Sequence, residues 1–96
     1  MKLYEHLDLL GKKVEDRVTR FKGVVSSVCF DLYGCIQVSV NPGVMEDGRL
    51  GDQAWFDITR LRVVSNEQVM ELPDFIAGAI ADGKRGPAEK PRFSKA

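Results

Sequence analysis

The stretch CIQVSV, residues 35–40, alternates Ile36, Val38 and Val40 with Cys35, Gln37 and Ser39. This period of two constrains the chain more than any other feature. Successive side chains of a strand point to opposite faces, so such a run presents one apolar face that another layer must cover. The same signal recurs around it. Val24, Val25, Val28 and Phe30 mark a strand before it, and Val14 and Val18, set among charged neighbours, mark one earlier still, with RFKG at 20–23 as the turn between the two. QAWFD predicts a fourth strand, ITR a one-turn connection and LRVV a fifth, after which Ser65 and Asn66 read as caps of a turn that begins at Glu67.

Helical spacing flanks this region. Leu3, Leu7 and Leu10 fall on one stripe and Gly11 follows as a C-terminal cap, which predicts a short helix over 2–10. Pro73 stands where a second helix over 73–82 would begin, with Phe75, Ile76, Ala79 and Ile80 on one side and Gly83 as its stop. The expectation is a mainly β fold with short helices (α+β). It is a small five-stranded antiparallel open barrel or bent sheet between a short N-terminal and a short C-terminal helix. Ninety-six residues suffice for one core, so residues 1–83 form a single globular domain. Residues 84–96, with two prolines and no periodicity, form a basic, irregular tail.

Charge and cysteine usage narrow the partners. The formal net charge is zero, but the 84–96 tail carries +4 and the remainder −4. An acidic body gives little of the phosphate attraction behind nonspecific nucleic-acid binding. No apolar run exceeds four residues, and Glu5 and Asp8 stand where a signal peptide would be apolar, so no membrane contact and a cytoplasmic location are expected. Cys29 and Cys35 read as reduced, packed thiols on the two arms of one hairpin. His6, the only histidine, cannot supply a zinc site alone, so neither metal nor cofactor is expected.

Catalytic patterns are absent from the sequence: there is no Gly-rich phosphate loop, nucleophile elbow or Ser/His/Asp grouping. Asp16, Asp31, Asp52 and Asp57 lie beside turns, where carboxylates cap backbone N–H groups, and a non-enzymatic protein is expected. The loop over 41–52, NPGVMEDGRLGD, is long for a hairpin and reads either as a binding element or subunit contact or as a mobile tip. FDLYGC, residues 30–35, places Phe30 and Tyr33 at a hairpin tip, with Gly34 supplying a positive φ. By alternation Trp55 shares a face with Gln53 and Asp57, and Phe56 takes the core face. A ring such as Trp55 beside Arg60, Arg62 or Arg17 suits a nucleotide, the base on the ring and guanidinium on phosphate. Equally, Trp55 can cover the open end of the barrel or pack under the N-terminal helix. The ligand-binding candidates are Phe30, Tyr33, Trp55, Arg60, Lys84 and Arg85.

Two families bear on this pattern. The GxV-type second strand and the short turn before the last strand resemble small barrels of the KOW or Tudor kind, which implies an adaptor binding nucleic acid or protein. KKVEDRVTRFKGVVSSV, then LYGC, an acidic and glycine-rich loop, WFD and RL resemble small phage and prophage proteins, namely the first family of Thoeris anti-defence proteins. That likeness spans about residues 11–64, with GPAEKP as a weaker echo, and its usual VTGxxG pattern has glycine where this chain has Arg20. It implies a cytoplasmic sponge that sequesters a small anionic nucleotide without cleaving it. The ligand would be a cyclic ADP-ribose isomer or, in some members, a cyclic oligonucleotide. It also implies a homo-oligomer, a dimer or higher, with pockets at subunit interfaces.

Overall fold

The computed structural model describes residues 2–75. Helix α1 (Leu3–Leu7) leads into five strands: β1 (Lys12–Asp16), β2 (Lys22–Phe30), β3 (Ile36–Asn41), β4 (Ala54–Asp57) and β5 (Leu61–Gln68). A single 3-10 turn (Ile58–Arg60) joins β4 to β5. All pairings are antiparallel, and the strands lie in one open sheet in the order β4-β3-β2-β1-β5. This is the five-stranded mainly β arrangement that the alternation predicts.

The inner face carries the core. Val38 pairs with Phe56 and Val40 with both Val25 and Ala54, so the apolar positions of β2, β3 and β4 stack in rows across the sheet. Val14 of β1 and Leu9, just after α1, complete the buried cluster, with Leu10, Phe21, Val28, Ile58 and Leu61 packed against it. Gly23 is required by close approach: a Cβ there would fall against the Asn41 carbonyl and 2.9 Å from Val40 Cγ1.

Several boundaries differ from the sequence reading, each for a local reason. Helix α1 stops at Leu7, and residues 8–11 turn the chain so that Gly11 N–H donates to the Val25 carbonyl. The first hairpin turns at 17–20, not 20–23. The Asp16 carboxylate accepts from Thr19 N–H and Oγ1, and Arg20 N–H donates to the Asp16 carbonyl. Val18 is therefore an exposed turn residue and not a strand position. Strand β5 runs through Ser65 and Asn66 to Gln68, because Gln68 Nε2 donates to the carbonyls of Asp8 and Leu10 and ties the strand end to the turn after α1. Cys29 and Cys35 are free thiols, but both are exposed rather than packed. The expected second helix and the 84–96 tail lie outside the described residues, apart from residues 73–75, which are not helical. Among the described residues no helix is long and apolar enough to cross a membrane.

Candidate functional site: the outer face around Trp55

Pleating gives Trp55 and Phe56 opposite fates. Phe56 faces inward, 9% exposed, with its ring centroid 5.5 Å from that of Phe21. Trp55 stands on the outer face opposite Ser39 and is 53% exposed. The alternation therefore places both rings correctly.

The neighbours of Trp55 are organised. The pairing of β2 with β3 slips between Val25 and Ser27, leaving Ser26 as the extra residue of a bulge, and a bulge re-aims the side chain it carries. The Ser26 hydroxyl reaches across to β3 and to Gln53, the residue just before β4. Ser26 Oγ donates to Gln53 Oε1 at 2.7 Å, Ser39 Oγ donates to the same oxygen at 2.7 Å, and the two hydroxyls are 3.4 Å apart. Ser39 is almost wholly buried, so its hydroxyl has its partners within this cluster. The result is an exposed indole beside a side-chain amide anchored by two hydroxyls.

Arg60 has a different role from the one its sequence position suggests. Its Nε and Nη2 donate to the two oxygens of Asp16 at 2.9 and 2.7 Å, and its guanidinium lies 5.3 Å from the centroid of the Phe56 ring. It belongs to the inner side of β4, and Trp55 to the outer. The pairing of a Trp55 base platform with an Arg60 phosphate clamp is not assembled. Asp16 has no exposed surface, and the Arg60 guanidinium holds its carboxyl well below the usual carboxylate range despite burial, with Thr19 adding two further hydrogen bonds. Beside it Glu15 is bonded to Arg62, which lowers its pKa against the opposing effect of burial, and Arg20 Nη1 lies 3.7 Å away. These two acid and base pairs were not legible as pairs, because 44 residues separate Asp16 from Arg60 and 47 separate Glu15 from Arg62.

Phe30 and Tyr33 also diverge. The register pairs Phe30 with Ile36 on the inner side of the sheet, where its ring meets His6 of α1 edge-on at 5.7 Å. Tyr33 is 87% exposed in the tip itself. The tip is built by Asp31, whose Oδ1 accepts from the N–H groups of Tyr33 and Cys35, and by Gly34 at φ 91. Lys84 and Arg85 lie outside the described residues. The loop over 41–52 is ordered by its own hydrogen bonds: Met45 N–H donates to Arg49 O, Gly51 N–H to Gly43 O, and Val44 and Leu50 form an isolated bridge.

A separate apolar groove of about 330 Å³ is lined by Leu10, Val24, Val69, Leu72 and Phe75 among others. It offers contact area but no cation. Among the described residues no three His, Cys, Asp or Glu side chains gather to hold a metal. Three turn carboxylates are occupied as well: Asp31, Asp47 and Asp57 each accept a backbone N–H of their own turn, and Asp57 is shifted downward by its bonds from Thr59. No protein-family model, curated protein or solved structure matches the chain.

Proposed function

We propose that this protein is a non-enzymatic binder that captures a cyclic nucleotide immune signal, a cyclic ADP-ribose isomer or a cyclic oligonucleotide, and releases it unchanged. The observation that carries the reading is the exposed Trp55 ring beside the anchored Gln53 amide, a flat stacking surface next to a directional polar group. Base stacking on an aromatic side chain is worth about 1–3 kcal/mol. Two further observations support it. The carboxylates of Asp16, Asp31 and Asp57 are engaged by N–H groups or arginine, which suits capture better than acid–base chemistry. The Thoeris anti-defence likeness over 11–64 has glycine where this chain has Arg20, and Arg20 adopts φ 70, a backbone conformation that glycine favours. Because Arg60 is engaged by Asp16, the ligand's phosphates fall to other cations. Lys84 and Arg85 are the candidates in this chain or in a second copy of a homo-oligomer.

The test is capture and return. The protein is incubated with cyclic ADP-ribose isomers and cyclic oligonucleotides, the free ligand is measured, and the complex is then heat-denatured and the supernatant assayed. Depletion followed by recovery of intact ligand is expected, and failure of either step refutes the reading.

A second reading, a KOW or Tudor-like adaptor, is favoured by the strand order β4-β3-β2-β1-β5 with a single 3-10 turn before the last strand. Fold likeness of this kind speaks to architecture more than to activity. Binding to RNA or DNA that weakens steeply with salt, with no capture of cyclic nucleotides, would select it.

A further inference from the structure

We propose that Gln53 reads the base stacked on Trp55, and reads it as a hydrogen-bond donor only; the inference rests on the capture reading above. A glutamine amide is ordinarily ambivalent, offering one acceptor and two donors, and it pairs with adenine by using both. Here the ambivalence is removed. Oε1 accepts from Ser26 Oγ and Ser39 Oγ, both at 2.7 Å, a separation typical of O–H to O bonds and shorter than the usual N–H to O distance. Both acceptor positions of the oxygen are thereby taken by the protein's own hydroxyls. Among the described residues nothing accepts from Nε2. Its two N–H groups are left for a ligand on the face that carries Trp55, two residues along the same side of the chain.

The chemistry of the purine edge then sets a preference. A 6-oxopurine, guanine or hypoxanthine, presents O6 and N7, two acceptors side by side, and both can be met by the N–H groups of one amide. Adenine presents N7 beside an amino group, so one acceptor is met and a donor faces a donor. Capture of an adenine ligand proceeds through the single N7 contact, and its 6-oxo counterpart binds tighter by about tenfold. Ser26 and Ser39 are positioning residues: they do not touch the base, and they hold the amide in the orientation that excludes the adenine pattern.

The experiment is a calorimetric titration of the full chain with cyclic ADP-ribose and with its hypoxanthine counterpart, in the wild type, Gln53→Glu and the Ser26→Ala/Ser39→Ala double variant. Thermal melts confirm that each is folded. The wild type is expected to favour the hypoxanthine ligand about tenfold. Gln53→Glu keeps an acceptor for both hydroxyls but turns an oxygen toward the base, so its preference inverts toward adenine. The double variant frees the amide to rotate, and its preference falls toward unity. Gln53 is exposed, so Gln53→Glu remains informative if removal of the buried Ser39 hydroxyl impairs folding. A wild type that prefers adenine, or a base preference unmoved by Gln53→Glu, overturns the inference and leaves capture standing. Failure of the wild type to bind either ligand removes capture itself, and this inference with it.

Discussion

Replacing Phe56 and Trp55 one at a time by alanine separates the two faces of β4 within a single dipeptide. Phe56 is 9% exposed, packed on Phe21 at 5.5 Å, paired across the sheet with Val38 and covered by the Arg60 guanidinium. Its removal strips a large buried ring and leaves a cavity, which costs about 3–5 kcal/mol. The cation and ring contact adds up to about 1 kcal/mol, as expected for a partly exposed pair. A domain of this size holds about 5–15 kcal/mol in total, and each kcal/mol moves its melting temperature by about 4–8 °C. Phe56→Ala is therefore expected to lower the melting point by at least about 12 °C or to unfold the protein at room temperature. Trp55 has half of its surface in water and, among the described residues, no ring or hydrogen-bond partner on its indole, so Trp55→Ala should stay within about 1 kcal/mol of the wild type. The assay is thermal and urea denaturation followed by circular dichroism, at several protein concentrations. Equal destabilisation by the two substitutions would refute the assignment of the faces. A loss at Trp55 that grows with protein concentration would place that ring in a contact between copies.

Two further outcomes follow from the inner side of the sheet. The Asp16 pKa is depressed by Arg60, so the stability it contributes is complete above the ordinary carboxylate range and is lost as the pH falls below about 4; acid titration of the melting point should show this, and Asp16→Asn should flatten that limb. Gly23→Ala should cost about 1–3 kcal/mol in urea denaturation, since the added methyl group meets the Asn41 backbone first and the buried Val40 side chain next, and an unchanged midpoint would show that β2 and β3 separate more easily there than their pairing indicates.

How much the sequence reveals depends on how far apart the interacting residues are. Val38, Val40 and Phe56 are legible because alternation is local and only one face of β3 and β4 is apolar. The role of Asp31 at the tip is legible too, since an aspartate bonds the backbone N–H two residues on. Asp16 stands in sequence among the turn carboxylates, and its bonds to Thr19 fit that class. Its main partner, however, is brought to it by the pairing of β1 with β5, which no local pattern encodes. The end of β5 escapes local patterns for the same reason: Ser65 and Asn66 have the chemistry of caps, and the anchoring of Gln68 on the turn after α1 overrides it. At Trp55 the exposed ring was legible, whereas the amide beside it needed the bulge at Ser26, a register slip invisible in composition.

The bidentate contact between Asp16 and Arg60 has a consequence for how the domain assembles. It joins the end of β1 to the turn that delivers β5, so it forms only when the last strand has reached the first. Until then a carboxylate without exposed surface in the finished fold has no guanidinium, and burying a lone charge is strongly unfavourable. A four-stranded intermediate that closes β1 to β4 around the core is thereby penalised, while the fully paired sheet is not. Folding across the strand region is accordingly expected to be all or none, and truncation before Arg60 should yield an unfolded chain and not a smaller domain.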